Sequence, residues 1–242
     1  MNTSHLRYQF LFTLTFIALS FNWQCSKAQT RRTGARSAVV VDERLAVLRT
    51  APDLSATLLR RIGRGRTVTV IDSRRSIDGV IFHRVAVTSR TRGWIQREAL
   101  TFPYGAGADA GLLRLINASS DFDRIARARI FLDIFPRSPL RPAVLLIFGE
   151  EAHKAARKLS TDARRRLEVD EMAATGASTA SYFLNFSGLD RYRRQGIIFK
   201  FDSPTRQFRY DGAAWRELLR RHSNTPQAAA VRESQKAKGS RP

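Results

Sequence analysis

Between Ala38 and Leu100 the chain is cut into apolar runs too short to be helices. Val39-Val40-Val41, Leu45-Ala46-Val47-Leu48, Thr67-Val68-Thr69-Val70-Ile71, Val80-Ile81-Phe82, Val85-Ala86-Val87 and Gly93-Trp94-Ile95 are rich in β-branched and aromatic residues. They read as strands, punctuated by turn signals at Ala51-Pro52-Asp53, Gly63-Arg64-Gly65 and Asp78-Gly79. Half a dozen strands in about sixty residues are too little chain for a large open sandwich. A small closed or partly closed barrel over residues 37–103 buries them best.

Five segments of this region share more than composition. Leu45-Ala46-Val47-Leu48-Arg49-Thr50-Ala51-Pro52, Leu58-Leu59-Arg60-Arg61-Ile62-Gly63-Arg64-Gly65, Thr67-Val68-Thr69-Val70, Phe82-His83-Arg84-Val85 and Arg92-Gly93-Trp94-Ile95 follow one another in order. Together they resemble the bacterial SH3 family, with its "LNVRSGPS" opening, "IGxLxxGxxVxV" middle and "GWV" close. The resemblance covers about a quarter of the chain and departs from the pattern at Ala51, where members commonly carry glycine. It implies an SH3-like β-barrel that binds a peptide or a cell-wall polymer. On such a barrel Phe82, Trp94 and Tyr104 with Arg49, Arg84 and Arg92 make a candidate aromatic and cationic groove, since guanidinium beside aromatic faces suits peptides, carboxylates and sugar acids. The alternative places Trp94 and Phe82 in the barrel core. Gly93 has a mechanical reading of its own, letting the backbone pass closely before Trp94.

From Ala110 the apolar period lengthens to three and four residues, through Leu112, Leu113, Leu115, Ile116, Ile125, Ala128 and Ile130, which predicts an amphipathic helix stopped at Phe135-Pro136. Further helices are expected from Pro142 through Leu159, over 162–174 and over 182–192. The aromatic-rich run from Tyr182 to Tyr192 is expected to dock as core on a following hairpin. That hairpin has arms 196–201 and 207–210 around Asp202-Ser203-Pro204-Thr205. Helices over 212–221 and 227–233 then complete a mainly α-helical domain, 109–233, before a disordered tail, 234–242. At an offset of 87 residues Ala126, Arg129, Leu132, Pro139, Ala143 and Val144 fall on Ala213, Arg216, Leu219, Pro226, Ala230 and Val231. This internal echo weakly resembles tetratricopeptide-like helical hairpins. The expected fold is multidomain α+β: a small SH3-like β-barrel, then a helical domain with an inserted β-hairpin.

The N-terminus bears on location. Arg7 precedes an apolar run from Phe10 to Phe21, about half of what a transmembrane helix needs, so residues 1–28 read as an export signal and 29–36 as a basic linker. Two processing readings stand. Ser26-Lys27-Ala28 offers a cleavage site before Gln29, and Cys25 offers a thiol for lipid attachment, although Asn22-Trp23-Gln24 does not resemble a small-residue lipobox. Cys25 is the chain's one cysteine, so no internal disulfide forms. Periplasm or cell envelope is the expected location, with membrane attachment only through lipid on Cys25.

Arg7 and Lys27 leave with the signal, so the formal net charge falls from +21 to +19. That charge favours anionic partners. Only six of the 42 basic residues are lysine, an arginine bias that GC-rich coding also produces. Export argues against nucleic acid as the target despite the charge. A peptide, a protein or an anionic wall polymer is the expected partner.

Catalytic signatures are sparse. A cysteine hydrolase of the wall needs a Cys–His pair, and Cys25 lies in the signal. Glu150-Glu151-Ala152-His153 contains one Glu-x-x-His, whereas a di-iron centre needs two. Gly176-Ala177-Ser178-Thr179-Ala180 lacks the second glycine of a nucleophile elbow. The expectation is a non-catalytic binding or scaffold protein without cofactor or metal. The alternative is an accessory subunit or divergent wall hydrolase with its site around Glu150, Glu151 and Asp190.

Overall fold

Alternation along the first strand explains how the sheet and the helices meet. In the computed structural model, which describes residues 36–239, β1 (Arg36–Val40) turns Ala38 and Val40 into the interior of a sheet. Val39 and the following Val41 turn the other way, into a core built by the helices. Side chains of a strand alternate between faces, so a run of consecutive valines serves two cores at once. All the described residues belong to one compact unit.

The other strands of this sheet are β2 (Val47–Arg49), β3 (Leu58–Arg61), β4 (Thr67–Arg75), β5 (Ile81–Ala86), β6 (Arg92–Gln96) and β7 (Leu100–Thr101). Their order is β3-β2-β6-β5-β4-β1-β7, and each ladder is antiparallel. The sheet ends at β3 and β7, with no hydrogen-bonded ladder joining those two strands among the described residues. Two of the expected strands, 80–82 and 85–87, are one: His83 and Arg84 keep the alternation, so polarity does not interrupt it. The strand expected over 67–71 runs on to Arg75 through a bulge between Val70 and Asp72. That extra residue leaves Ile71 unpaired and re-aims the second half of β4. Asp78-Gly79 forms the β4–β5 turn, with Gly79 at φ +79°.

Gly93 behaves as its spacing predicts. A Cβ there would sit 2.7 Å from the Arg49 carbonyl oxygen and 2.7 Å from Leu48 Cγ, so β2 packs against bare backbone of β6.

The helical part contains α1 (Ala108–Asn117), α2 (Asp121–Ile134), α3 (Arg141–Arg166), α4 (Val169–Ala174), α5 (Thr179–Leu184), α6 (Asp190–Arg193), α7 (Ala213–Arg221) and α8 (Pro226–Gly239). One helix was expected where α1 and α2 stand. Ala118-Ser119-Ser120 breaks it, and Ser119 Oγ turns back to the Leu115 carbonyl. Conversely, α3 runs through to Arg166, absorbing the start of the helix expected from Asp162. Pro142 sits in its first turn, where the missing N–H costs nothing. The helix α8 continues over Ser234–Gly239, assigned from sequence to a disordered tail, because Gln235, Lys236, Ala237 and Lys238 are good helix formers.

The hairpin β8 (Phe199–Asp202) and β9 (Gln207–Tyr210) docks on α3. Ser160 Oγ, buried in α3, accepts the Phe208 N–H at 2.7 Å, and Phe183 of α5 stacks on Phe201 at 4.6 Å. The aromatic-rich run therefore serves packing, with Phe183, Phe186, Leu189 and Tyr192 all in the helical core. Trp215 of α7 lies directly on Gly149 of α3, where a Cβ would meet its Nε1 at 2.2 Å. Both segments of the internal echo are helix–turn–helix, α2 with α3 and α7 with α8, and Val144 and Val231 are both buried.

A buried ion pair clamps the sheet to the helices. Arg127 of α2, 3% exposed, donates to the Val41 carbonyl, to Ser119 Oγ and to Asp42 Oδ2 at 3.1 Å. Asp42 also accepts from the Arg44 side chain, chiefly for which its carboxyl lies below the ordinary carboxylate range. Alongside, Arg64 bridges to Asp123 at 2.9 Å and to Glu43 at 3.4 Å. Residues 1–35 and 240–242, with Cys25, the expected signal and the expected linker up to residue 35, lie outside the described residues, whereas Arg36, expected in the linker, begins β1.

Candidate ligand-binding surface

Register decides which side chains of the sheet meet. On the β5–β6 ladder Phe82 is opposite Gln96, Arg84 opposite Trp94 and Ala86 opposite Arg92, while Arg49 of β2 is opposite Trp94 from the other side. Residues directly opposite share a face. Arg49, Phe82, Arg84, Arg92 and Trp94 therefore lie on one face, and Leu48, Val85 and Ile95 fill the core on the other.

Within that face the five residues divide. Phe82 is fully buried and Trp94 is 7% exposed, so the aromatic rings are a foundation for the surface, not the walls of an open slot. Arg84 and Arg92 are exposed. Arg49 is half-buried and spends Nη1 on the Ala56 carbonyl at 2.7 Å, pinning the β2–β3 loop. Tyr104 stands apart, beyond β7, almost wholly exposed. A further cation joins the face: Arg74, opposite Phe82, holds its guanidinium 5.4 Å from the centre of the Trp94 ring. Sequence reading missed it because Asp72-Ser73-Arg74-Arg75 is too polar to look like strand.

The β3–β4 loop adds a second cationic feature. Arg60, Arg61 and Arg66 are exposed around a hollow of about 490 Å³, and none pairs with a carboxylate among the described residues. Arg64 lines the same hollow but points down to Asp123 and Glu43, and Gly65 makes the turn at φ +80°.

A larger cavity, about 970 Å³, opens beside β4 and β5. The side chain of His83 forms part of its lining, with the Phe102 ring edge-on at 5.4 Å. Both ring nitrogens of His83 are buried without a hydrogen-bond partner among the described residues. Burial, reinforced by Arg97, holds this histidine below its ordinary pKa, against opposition from the Asp72 backbone and Glu98. Burial thus favours the neutral imidazole. Alternation along β5 was the available signal, since it sends His83 to the same side as Val85.

The acidic residues of the helical part are differently placed. Glu151 is buried and accepts from Arg124 at 2.9 Å and Lys154 at 3.0 Å. Glu150 is exposed, Asp190 pairs with Arg193, and the His153 ring lies 5.9 Å from that of Trp215. Among the described residues no three of His, Cys, Asp and Glu group as metal ligands, and no helix is long and apolar enough to cross a membrane. Compared with known proteins, the chain matches no family model, no curated protein and no solved structure.

Proposed function

We propose that this chain is an exported, non-catalytic binding and scaffold protein of the bacterial cell envelope, whose SH3-like part holds an anionic peptide or wall polymer while the helices engage a protein partner. The observation that carries the reading is the clustering of Arg74, Arg84 and Arg92 on the face founded on Trp94. Guanidiniums present planar forks of donors that match carboxylates in pairs, and the Trp94 ring lies under the guanidinium of Arg74. Support for the SH3-like part comes from the antiparallel run β4-β5-β6 flanked by β1 and β2, with the chain returning through β7 to β1. The buried Arg127–Asp42 pair favours a scaffold whose parts keep a fixed relation. Lipid on Cys25, if added, would tether this scaffold to a membrane.

Pull-down of the full chain on purified peptidoglycan across a salt series tests the proposal. Retention that persists after screening lengths fall to a few ångströms supports a specific surface. Loss that tracks salt alone, equal on any polyanion, would sink it.

A further inference from the structure

We propose that the cavity beside β4 and β5 is a second binding site, for a small organic carboxylate with an aromatic or branched apolar body. Its volume of about 970 Å³ lies in the range of sites that enclose small molecules. Its lining is of two kinds. Val70, Ile71 and Phe102 supply apolar wall, and Tyr104, 96% exposed, stands at the rim. The charged residues of the lining are Arg36, Arg97 and Asp72. Asp72 is already engaged by Arg74 at 3.5 Å, which leaves the two guanidiniums in excess.

That balance selects the ligand. A cation would meet two like charges, and a polyanion would bring more charge than two arginines answer while wasting the apolar wall. A monoanion satisfies both halves: its carboxylate takes hydrogen bonds from Arg97 or Arg36, and its body covers Phe102 and Tyr104. His83 supplies the remaining polar contact. Both ring nitrogens are buried without a hydrogen-bond partner among the described residues, and a hydrogen-bonding group of the ligand would supply one. The site adjoins the arginine face through Asp72, which is opposite Arg84, but His83 projects to the other side of β5 from Phe82 and Arg84.

Phenylacetate, isocaproate and the neutral phenylacetamide, each titrated into the isotopically labelled full chain, test this, with the His83 ring resonances and the Trp94 indole followed together. The two carboxylates are expected to shift His83 saturably and leave Trp94 unmoved, with the amide silent. Arg97→Ala is expected to weaken the effect about tenfold, equivalent to about 1.4 kcal/mol. Arg60→Ala, which removes a charge remote from this lining, is expected to change nothing here. No shift with either carboxylate, an equal response to the amide, or an undiminished response in Arg97→Ala would overturn the proposal.

Discussion

Arg127 shows how one side chain sets the relation between two cores. A guanidinium taken out of water is costly unless every donor is used, and here its three polar nitrogens find Val41, Ser119 and Asp42. Removing one partner strands the other. Asp42→Leu or Arg127→Met is expected to destabilise the protein by about 3–5 kcal/mol, and the two together by much less than the sum of the single losses. Urea unfolding of the four proteins measures both. Titration at His83 makes a second residue-scale prediction. Its folded pKa lies below the unfolded value of about 6.5, so its contribution is complete above that pH and is lost as pH falls through the interval beneath it. Thermal unfolding between pH 7 and 5 is expected to show a falling midpoint that His83→Phe largely abolishes. The loss tied to Asp42, whose pKa is lowered, comes in a separate and more acid window, below about pH 4.

Elements in this protein are fixed by close approach as much as by pattern. Gly93→Ala would drive a methyl into the Arg49 carbonyl and Leu48, separating β2 from β6; a cost of about 1–3 kcal/mol is expected from denaturant unfolding. Ser160→Ala would leave the Phe208 N–H without its acceptor in a buried place, at about 1–3 kcal/mol, and hydrogen exchange at Phe208 is expected to quicken. Some of this was legible in the chain: the tight passage at Gly93, the turn at Asp78-Gly79, Pro142 in a first turn and the 196–210 hairpin all follow from local chemistry. The rest was not, because it depends on register and tertiary contact. No spacing announces the Val70–Asp72 bulge, the break at Ala118-Ser119-Ser120 or the burial of Arg127, each settled by a partner far away in sequence. The shared face of Arg49, Phe82, Arg84, Arg92 and Trp94 was half legible: the residue types were readable, but that the rings lie beneath the arginines depends on the packing of the sheet.

At the scale of the whole molecule, β1 is the hinge of the design, with Ala38 and Val40 serving the sheet core and Val39 the helical one. Sheet and helices are thereby joined through apolar contact and the Arg127–Asp42 pair. The arginine surplus is unevenly spent. Arg64, Arg124, Arg127 and Arg141 are consumed by internal ion pairs, whereas Arg60, Arg61, Arg84 and Arg92 on the sheet and Arg66 in the β3–β4 loop stand exposed. In the proposed role, charge placed on the Trp94 face, and not charge in general, holds the anionic ligand. Equilibrium binding to purified peptidoglycan at physiological salt tests this with two variants of equal charge loss, Arg74→Ala/Arg84→Ala/Arg92→Ala and Arg60→Ala/Arg61→Ala/Arg66→Ala. The account predicts at least a tenfold loss in the first, about 1.4 kcal/mol, and a small change in the second. Equal losses in the two would contradict it.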